Sequence, residues 1–245
     1  LNRSARFDEK TVQALRTGAF QIEGQFTWGS NYTYLVDVRC DDTRIQGVYK
    51  PVHGEQPLWD FPPDSLAGRE VAAFLVSEAG GWAFVPPTVY REDGPAGPGS
   101  LQLYIEHDPE RHYFNFSKAQ RQALRSTALF DAVINNTDRK GGHVIVERAE
   151  QRLWMIDHGI CFHAQPKLRT VIWEFAGQPI SAAEYEQISA LAAKLAEDQT
   201  LHVELLKYLN KLEVLAMIYR INQLLEAGVF PHPVDERFSY PWPPV

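Results

Sequence analysis

Apolar and polar positions along the chain follow two regimes: the first third reads as β-rich and the remainder as mainly helical. Residues 33–38, Thr-Tyr-Leu-Val-Asp-Val, form a β-branched and aromatic run that predicts a strand. Asp41 and Asp42 offer a turn, and residues 46–49 return as a second strand. A helix is predicted over 66–79, capped by Asp64 or Ser65 and ended by Gly80-Gly81. At 100° per residue, Leu66, Glu70, Ala73 and Phe74 fall near one side. Glu70 therefore borders an apolar stripe, where a carboxylate is costly without a partner.

Residues 93–100 are a Gly/Pro-rich loop, and residues 101–106 predict a strand that connects two halves of the chain. A helix is expected over 117–134, ending before Asn135-Asn136. Residues 144–146 and 153–156 are short apolar strands joined by a polar turn. From Ser181, where Ser-Ala-Ala-Glu is a capping box, a long helical stretch runs to Leu225 and stops at Gly228 and Pro231. Leu205, Leu209, Leu212 and Leu215 read as core of this half, and Trp59, Trp82, Trp154 and Trp173 as packing residues.

The length of 245 residues suits one large domain or two lobes around a cleft. A formal net charge of -7 argues against a nucleic-acid partner and against stable association with anionic membranes. No apolar run is long enough to span a bilayer, and residues 1–10 lack the zones of a secretory signal. Two cysteines, Cys40 and Cys161, without metal-type spacing fit a reducing cytoplasm.

The chemistry concentrates in residues 135–143, Asn-Asn-Thr-Asp-Arg-Lys-Gly-Gly-His, a loop between a helix and a strand. The following hairpin delivers Ile156-Asp157-His158-Gly159 back to the end where the loop lies. Asp138 and Asp157 are thus expected close together although 19 positions apart. Two carboxylates with a neighbouring His143 suit a hard divalent cation completed by phosphate oxygens. Phosphoryl transfer needs that cation, a positive group on the phosphates and a carboxylate to orient the attacking hydroxyl. Lys50 closes an apolar strand, and Glu70 is its candidate partner. Gly29-Ser30-Asn31 reads either as a nucleotide-covering turn or as an ordinary hairpin turn.

These motifs, in this order, resemble the catalytic domains of phosphatidylinositol 3-/4-kinases, with the type II phosphatidylinositol 4-kinases nearest. They are Gly29-Ser30-Asn31, Gly47-Val48-Tyr49-Lys50-Pro51, Arg69-Glu70-Val71-Ala72-Ala73, Asn136-Thr137-Asp138-Arg139 and Ile156-Asp157-His158-Gly159. Residues 57–62 and 138–143 further resemble a set of short bacterial phosphatidylinositol-kinase-like proteins. The resemblance spans roughly residues 20–180.

It implies an α+β, bilobal protein-kinase-like fold: a β-rich N-lobe over 1–105, a hinge at about 101–106 and a mainly helical C-lobe over 106–245. It also implies ATP with Mg²⁺ or Mn²⁺ as cofactors. Lys50 and Glu70 would hold the nucleotide phosphates under Gly29, Ser30 and Asn31. Tyr104, Ile105 and Glu106 would receive adenine. Asp138 would be the catalytic carboxylate, Arg139 a brace of its loop, and Asp157 the main metal ligand. Where the family has an Asn as second metal ligand, this chain has His143, an imidazole better suited to Mn²⁺ than to Mg²⁺.

The cysteine-rich, acylated insertion of the eukaryotic type II enzymes has no counterpart here, so a protein or small soluble acceptor, the chain itself included, is expected rather than a lipid. Nucleotidyl transfer on the same fold and a nucleotide-sensing pseudokinase are the alternatives.

Overall fold

The computed structural model describes residues 8–26, 31–197, 199–235 and 238–245. A short helix, α1 (Glu9–Thr17), begins at Asp8, whose carboxylate accepts the Lys10 N–H. Five strands follow: β1 (Ala19–Gln25), β2 (Tyr34–Cys40), β3 (Thr43–Pro51), β4 (Thr88–Arg91) and β5 (Gly99–Leu103). They form one antiparallel sheet in the order β1-β2-β3-β5-β4. The β2–β3 turn sits at Asp41, which adopts a left-handed φ of 51°.

The two-residue alternation of β3 decides where its side chains point. Tyr49 enters the core of this half with Leu15, Val36, Val38, Val89 and Leu101. Lys50, one position on, faces the other way. Next to it, where Gly99 of β5 pairs with Pro51, the strands come so close that a Cβ on Gly99 would lie 2.4 Å from the Lys50 carbonyl oxygen, which only glycine avoids.

Helix α2 (Leu66–Ala79) has the bounds its pattern predicts, but a different cap. Ser65 makes no side-chain cap bond; the Glu55 carboxylate accepts the N–H groups of Leu66 at 3.1 Å and Ala67 at 2.8 Å. This helix also joins the halves of the molecule. Its buried Arg69 donates to the Cys161 carbonyl at 2.7 Å and pairs with Glu213.

The helix expected over 117–134 is two: α3 (Lys118–Ala123) and α4 (Arg125–Ile134), divided at Leu124. Strands β6 (Val144–Val146) and β7 (Leu153–Met155) form the expected hairpin. The long C-terminal helical stretch is likewise interrupted, into α5 (Ala182–Lys194), α6 (Thr200–Leu205) and α7 (Lys211–Ala227). Capping boxes at Ser181/Glu184 and Asn210/Glu213 restart the chain, and Gly228, with φ 65°, ends it.

Two packing expectations fail. Leu205 and Leu209 are buried, but Leu212 and Leu215 are exposed because the break before α7 resets the helical phase. Trp82 and Trp154 are buried and Trp173 is partly so, whereas Trp59 is 93% exposed. Among the described residues, no helix is long and apolar enough to cross a membrane.

Candidate active site

Lys50 lies between two carboxylates from different elements. Its ammonium pairs with Glu70 of α2 and reaches Asp157 Oδ1 at 3.0 Å. Glu70 is buried, and its second oxygen accepts the backbone N–H of His158 at 2.9 Å. The costly carboxylate of the α2 stripe thus has both partners it needs. Burial opposes the charge on Lys50, but Asp157 and Glu70 outweigh it and hold its pKa above the ordinary lysine value. Burial likewise resists ionisation of Asp157, and the Lys50 charge overcomes it, so Asp157 is held below the usual carboxylate range. Asp157 also has a left-handed φ of 60°, a conformation that costs a non-glycine residue about 1 kcal/mol or more. The turn at that position aims its side chain at the sheet while its backbone continues into the helical half.

The hairpin brings the two expected carboxylates together, and His143 is the link. Its Nδ1 lies 2.8 Å from the Asp138 carbonyl oxygen and its Nε2 3.2 Å from Asp157 Oδ2. A carbonyl only accepts, so Nδ1 carries the proton. Burial depresses the His143 pKa to about 4; the Asp157 charge opposes the fall, and Arg139, Lys140 and Lys50 add to it. The imidazole is therefore neutral near pH 7, with an Nε2 lone pair facing a carboxylate oxygen. Two acceptors converging without a proton between them suit a divalent cation. Among the described residues no group of three or more His, Cys, Asp or Glu side chains can hold a metal. A cation here would accordingly rest on Asp157 and His143 and take its remaining oxygens from phosphate and water.

Asp138 is partly exposed, and its carboxylate pairs with Lys140 at 3.2 Å. Desolvation raises its pKa to about 6, with the Asp157 charge adding to the rise and Lys140 opposing it. Its backbone N–H donates to Asn136 Oδ1 at 3.0 Å. Asn136 in turn donates to Asp131 at 3.0 Å, while Asn135 ends α4 with φ 52°. Asparagine tolerates that left-handed turn, which releases the loop from the helix.

Arg139, expected to brace the catalytic loop, is fully buried and does not face the cleft. Its guanidinium donates to Asp131, to the His143 and Ile156 carbonyls at 3.1 Å each, and to His158 Nε2 at 2.7 Å. It ties the loop, the hairpin and the Asp157 segment together. Because Arg139 only donates, His158 Nε2 accepts, and burial with the Arg139 charge keeps His158 neutral. Its Nδ1 is buried with no hydrogen-bond partner among the described residues, and the ring of Phe130 packs edge-on against the imidazole.

The nucleotide-binding expectations stand less uniformly. Gly29 and Ser30 lie outside the described residues. Asn31 accepts the Gln56 N–H at its side-chain oxygen at 2.7 Å, which braces the chain after β3. The strand expected over 101–106 ends at Leu103, so Tyr104, Ile105 and Glu106 follow it as extended chain. The Ile105 carbonyl meets His107 Nδ1 at 2.7 Å and the Glu106 carbonyl accepts from Arg148 N at 2.9 Å, so both are already engaged. Ile105 packs with Ile145 and Trp154. Sequence reading missed Glu55, Asp131 and Lys140. Lys140 carried a local signal, two positions from Asp138, whereas Glu55 and Asp131 act through contacts that no periodicity or turn motif announces.

No family model matches the chain. Protein Rv2133c of Mycobacterium tuberculosis is 36% identical over 273 residues, covering 97% of this chain and 96% of that protein. Phosphatidylinositol 4-kinase gamma 7 of Arabidopsis thaliana is 28% identical over half of this chain, which spans 23% of that longer protein. In fold, the chain is similar to hydra Fam20, solved with sugar, with a TM-score of 0.53 at 14% identity over 89% of this chain and 87% of that one. It is similar also to the Helicobacter pylori proinflammatory kinase CtkA, with a TM-score of 0.54 at 9% identity over 88% and 94%. The architecture is a kinase-like α+β fold, with an antiparallel sheet in one half and helices in the other.

Proposed function

The chain belongs to a bacterial phosphatidylinositol-kinase-like family that includes Protein Rv2133c, and we propose that it transfers the γ-phosphate of ATP to a hydroxyl of a protein or small soluble acceptor. The observation that carries this reading is the Lys50 ammonium from the sheet half meeting Glu70 and Asp157 across the two halves, with His143 joining Asp157 to the Asp138 loop. In this reading residues 1–105 are the N-lobe, 101–106 the hinge and 106–245 the C-lobe. The free thiols of Cys40 and Cys161 support a reducing compartment, the cytoplasm.

Each residue has one task. Lys50, held by Glu70, neutralises phosphate charge, and Asp138 orients the acceptor hydroxyl and takes its proton. Asp157 and His143 would hold a Mg²⁺ or Mn²⁺ ion, which when bound would offset charge on the phosphate oxygens. Arg139 keeps the loop in register with the hairpin without touching substrate. The bond from the γ-phosphorus to the β–γ bridging oxygen breaks as that to the acceptor oxygen forms, and ADP leaves.

Incubating the purified chain with Mn²⁺ or Mg²⁺ and γ-labelled ATP is expected to give labelled acceptor, labelled chain or labelled phosphate. Asp138→Ala and Asp157→Ala are expected to abolish it. Label appearing only from α-labelled ATP would replace this reading with nucleotidyl transfer. Nucleotide-dependent stabilisation without turnover would make the protein a sensor.

A further inference from the structure

Outside the Lys50–Asp157 cleft, the helical half contains an open trough of ≈ 500 Å³. Tyr113, Trp173 and Tyr240 supply aromatic walls, and Lys118 and Arg121 of α3 supply charge. Both cations are exposed, and among the described residues neither side chain has an ion-pair partner. Spaced three apart on one helix, they project to the same side. The remaining charge is Glu174, whose carboxylate accepts the Tyr113 hydroxyl at 2.7 Å. Burial and Glu174 both raise the pKa of that hydroxyl, so it stays protonated and keeps its bond to the carboxylate.

The trough adjoins the catalytic loop. Val171, also in its lining, donates its N–H to the Arg139 carbonyl at 3.1 Å. Trp173 Nε1 donates to the Ser239 carbonyl at 3.0 Å, and the same carbonyl accepts from Thr170 N at 3.1 Å. These bonds fix the indole as a wall. Phe114, next to Tyr113, packs so tightly on Gly141 that a Cβ there would lie 2.9 Å from its ring.

We propose that this trough is a second binding site, for a small molecule carrying a phosphate or carboxylate on a flat or ring-shaped body. The anion would lie against Lys118 and Arg121, and the ring against Trp173 and Tyr240. Two cations with no ion-pair partner among the described residues, in an otherwise acidic protein, select an anion, and a volume of this size suits a small ligand. A role for the site in recognising the acceptor rests on the kinase reading; binding itself does not.

The test is a nucleotide-free titration of the isotope-labelled full chain, following the Trp173 indole N–H resonance, assigned with Trp173→Phe. Phenyl phosphate and phenylacetate are the two anionic probes, inorganic phosphate tests the anion alone, and phenol is the neutral control. Saturable shifts of the Trp173 signal by at least one anionic probe, weakened about tenfold by Lys118→Ala/Arg121→Ala and by added salt, are expected. Which probe binds distinguishes phosphate from carboxylate as the ligand group. Tyr240→Ala is expected to weaken phenyl phosphate more than inorganic phosphate. No saturable shift, undiminished binding in the double variant, or equal binding of phenol would overturn the proposal. Since no nucleotide is present, a wild-type chain that binds the anion but fails to turn over ATP counts against the kinase reading alone.

Discussion

Glu70 and His158 are joined by a 2.9 Å hydrogen bond from the His158 backbone N–H to the carboxylate oxygen that Lys50 leaves free. One buried side chain thereby fixes both the lysine of the sheet half and the Asp157 segment of the helical half.

Removing Glu70 is expected to uncouple both. Glu70→Ala leaves Lys50 with Asp157 alone and a buried N–H unpaired, a loss of about 3–5 kcal/mol in chemical denaturation. Glu70→Gln keeps an oxygen for His158 and is expected to lose less stability than Glu70→Ala, while ATP turnover falls in both. Equal destabilisation by the two variants would refute the shared-oxygen account.

Asp138, with its pKa raised to about 6, predicts a pH dependence. The folded state holds the Asp138 proton more tightly than the unfolded chain does, where the value is 3.8. Its contribution to stability is greatest below about pH 4 and is lost as pH rises through about 6. Asp138→Asn is therefore expected to gain on wild type across that interval and then level off, by on the order of 3 kcal/mol at most. Urea denaturation from pH 4 to 8 checks this. The same variant is expected to lose about 10²-fold or more in turnover. Wild-type kcat/KM should rise from pH 5 to 7.

His143 predicts the metal requirement. Chelation with EDTA is expected to abolish turnover. His143→Ala is expected to raise the half-saturating Mn²⁺ concentration about tenfold or more, and more for Mn²⁺ than for Mg²⁺. An unchanged Mn²⁺ requirement would remove His143 from the cation site.

Arg139 predicts a structural loss. Arg139→Met leaves Asp131 buried without its counter-charge, at a cost of about 3–5 kcal/mol. Asp131→Asn is expected to be costly too. The double variant is expected to lose less than the sum, as a double-mutant cycle by urea denaturation would show.

Much of the site was legible because its signals are local. The α2 bounds followed from the pattern, and Glu70 stood out as a carboxylate in an apolar stripe. The Asp138–Asp157 proximity followed from a hairpin that returns the chain to its origin. The breaks at Leu124 and before α7 were not legible, because helical periodicity continues across them and tertiary packing selects where the phase resets. Trp59 misled for the opposite reason: its size suggests burial, and only the surrounding fold leaves it exposed, with the Lys167 ammonium 5.0 Å from its ring centroid.

The sequence by itself determined the apolar strand that Lys50 closes, the capping box at Ser181, and the loop-hairpin order that brings Asp138 and Asp157 to one end. Only tertiary structure decided that Glu55 caps α2, that Arg139 faces Asp131 and His158 instead of the cleft, and that Lys118 and Arg121 stand over an aromatic trough. The physical reason is range. Backbone periodicity and turn chemistry act over a few residues and leave a pattern in the chain. A buried charge finds its partner outside those patterns, wherever packing brings an opposite charge close enough to offset its desolvation.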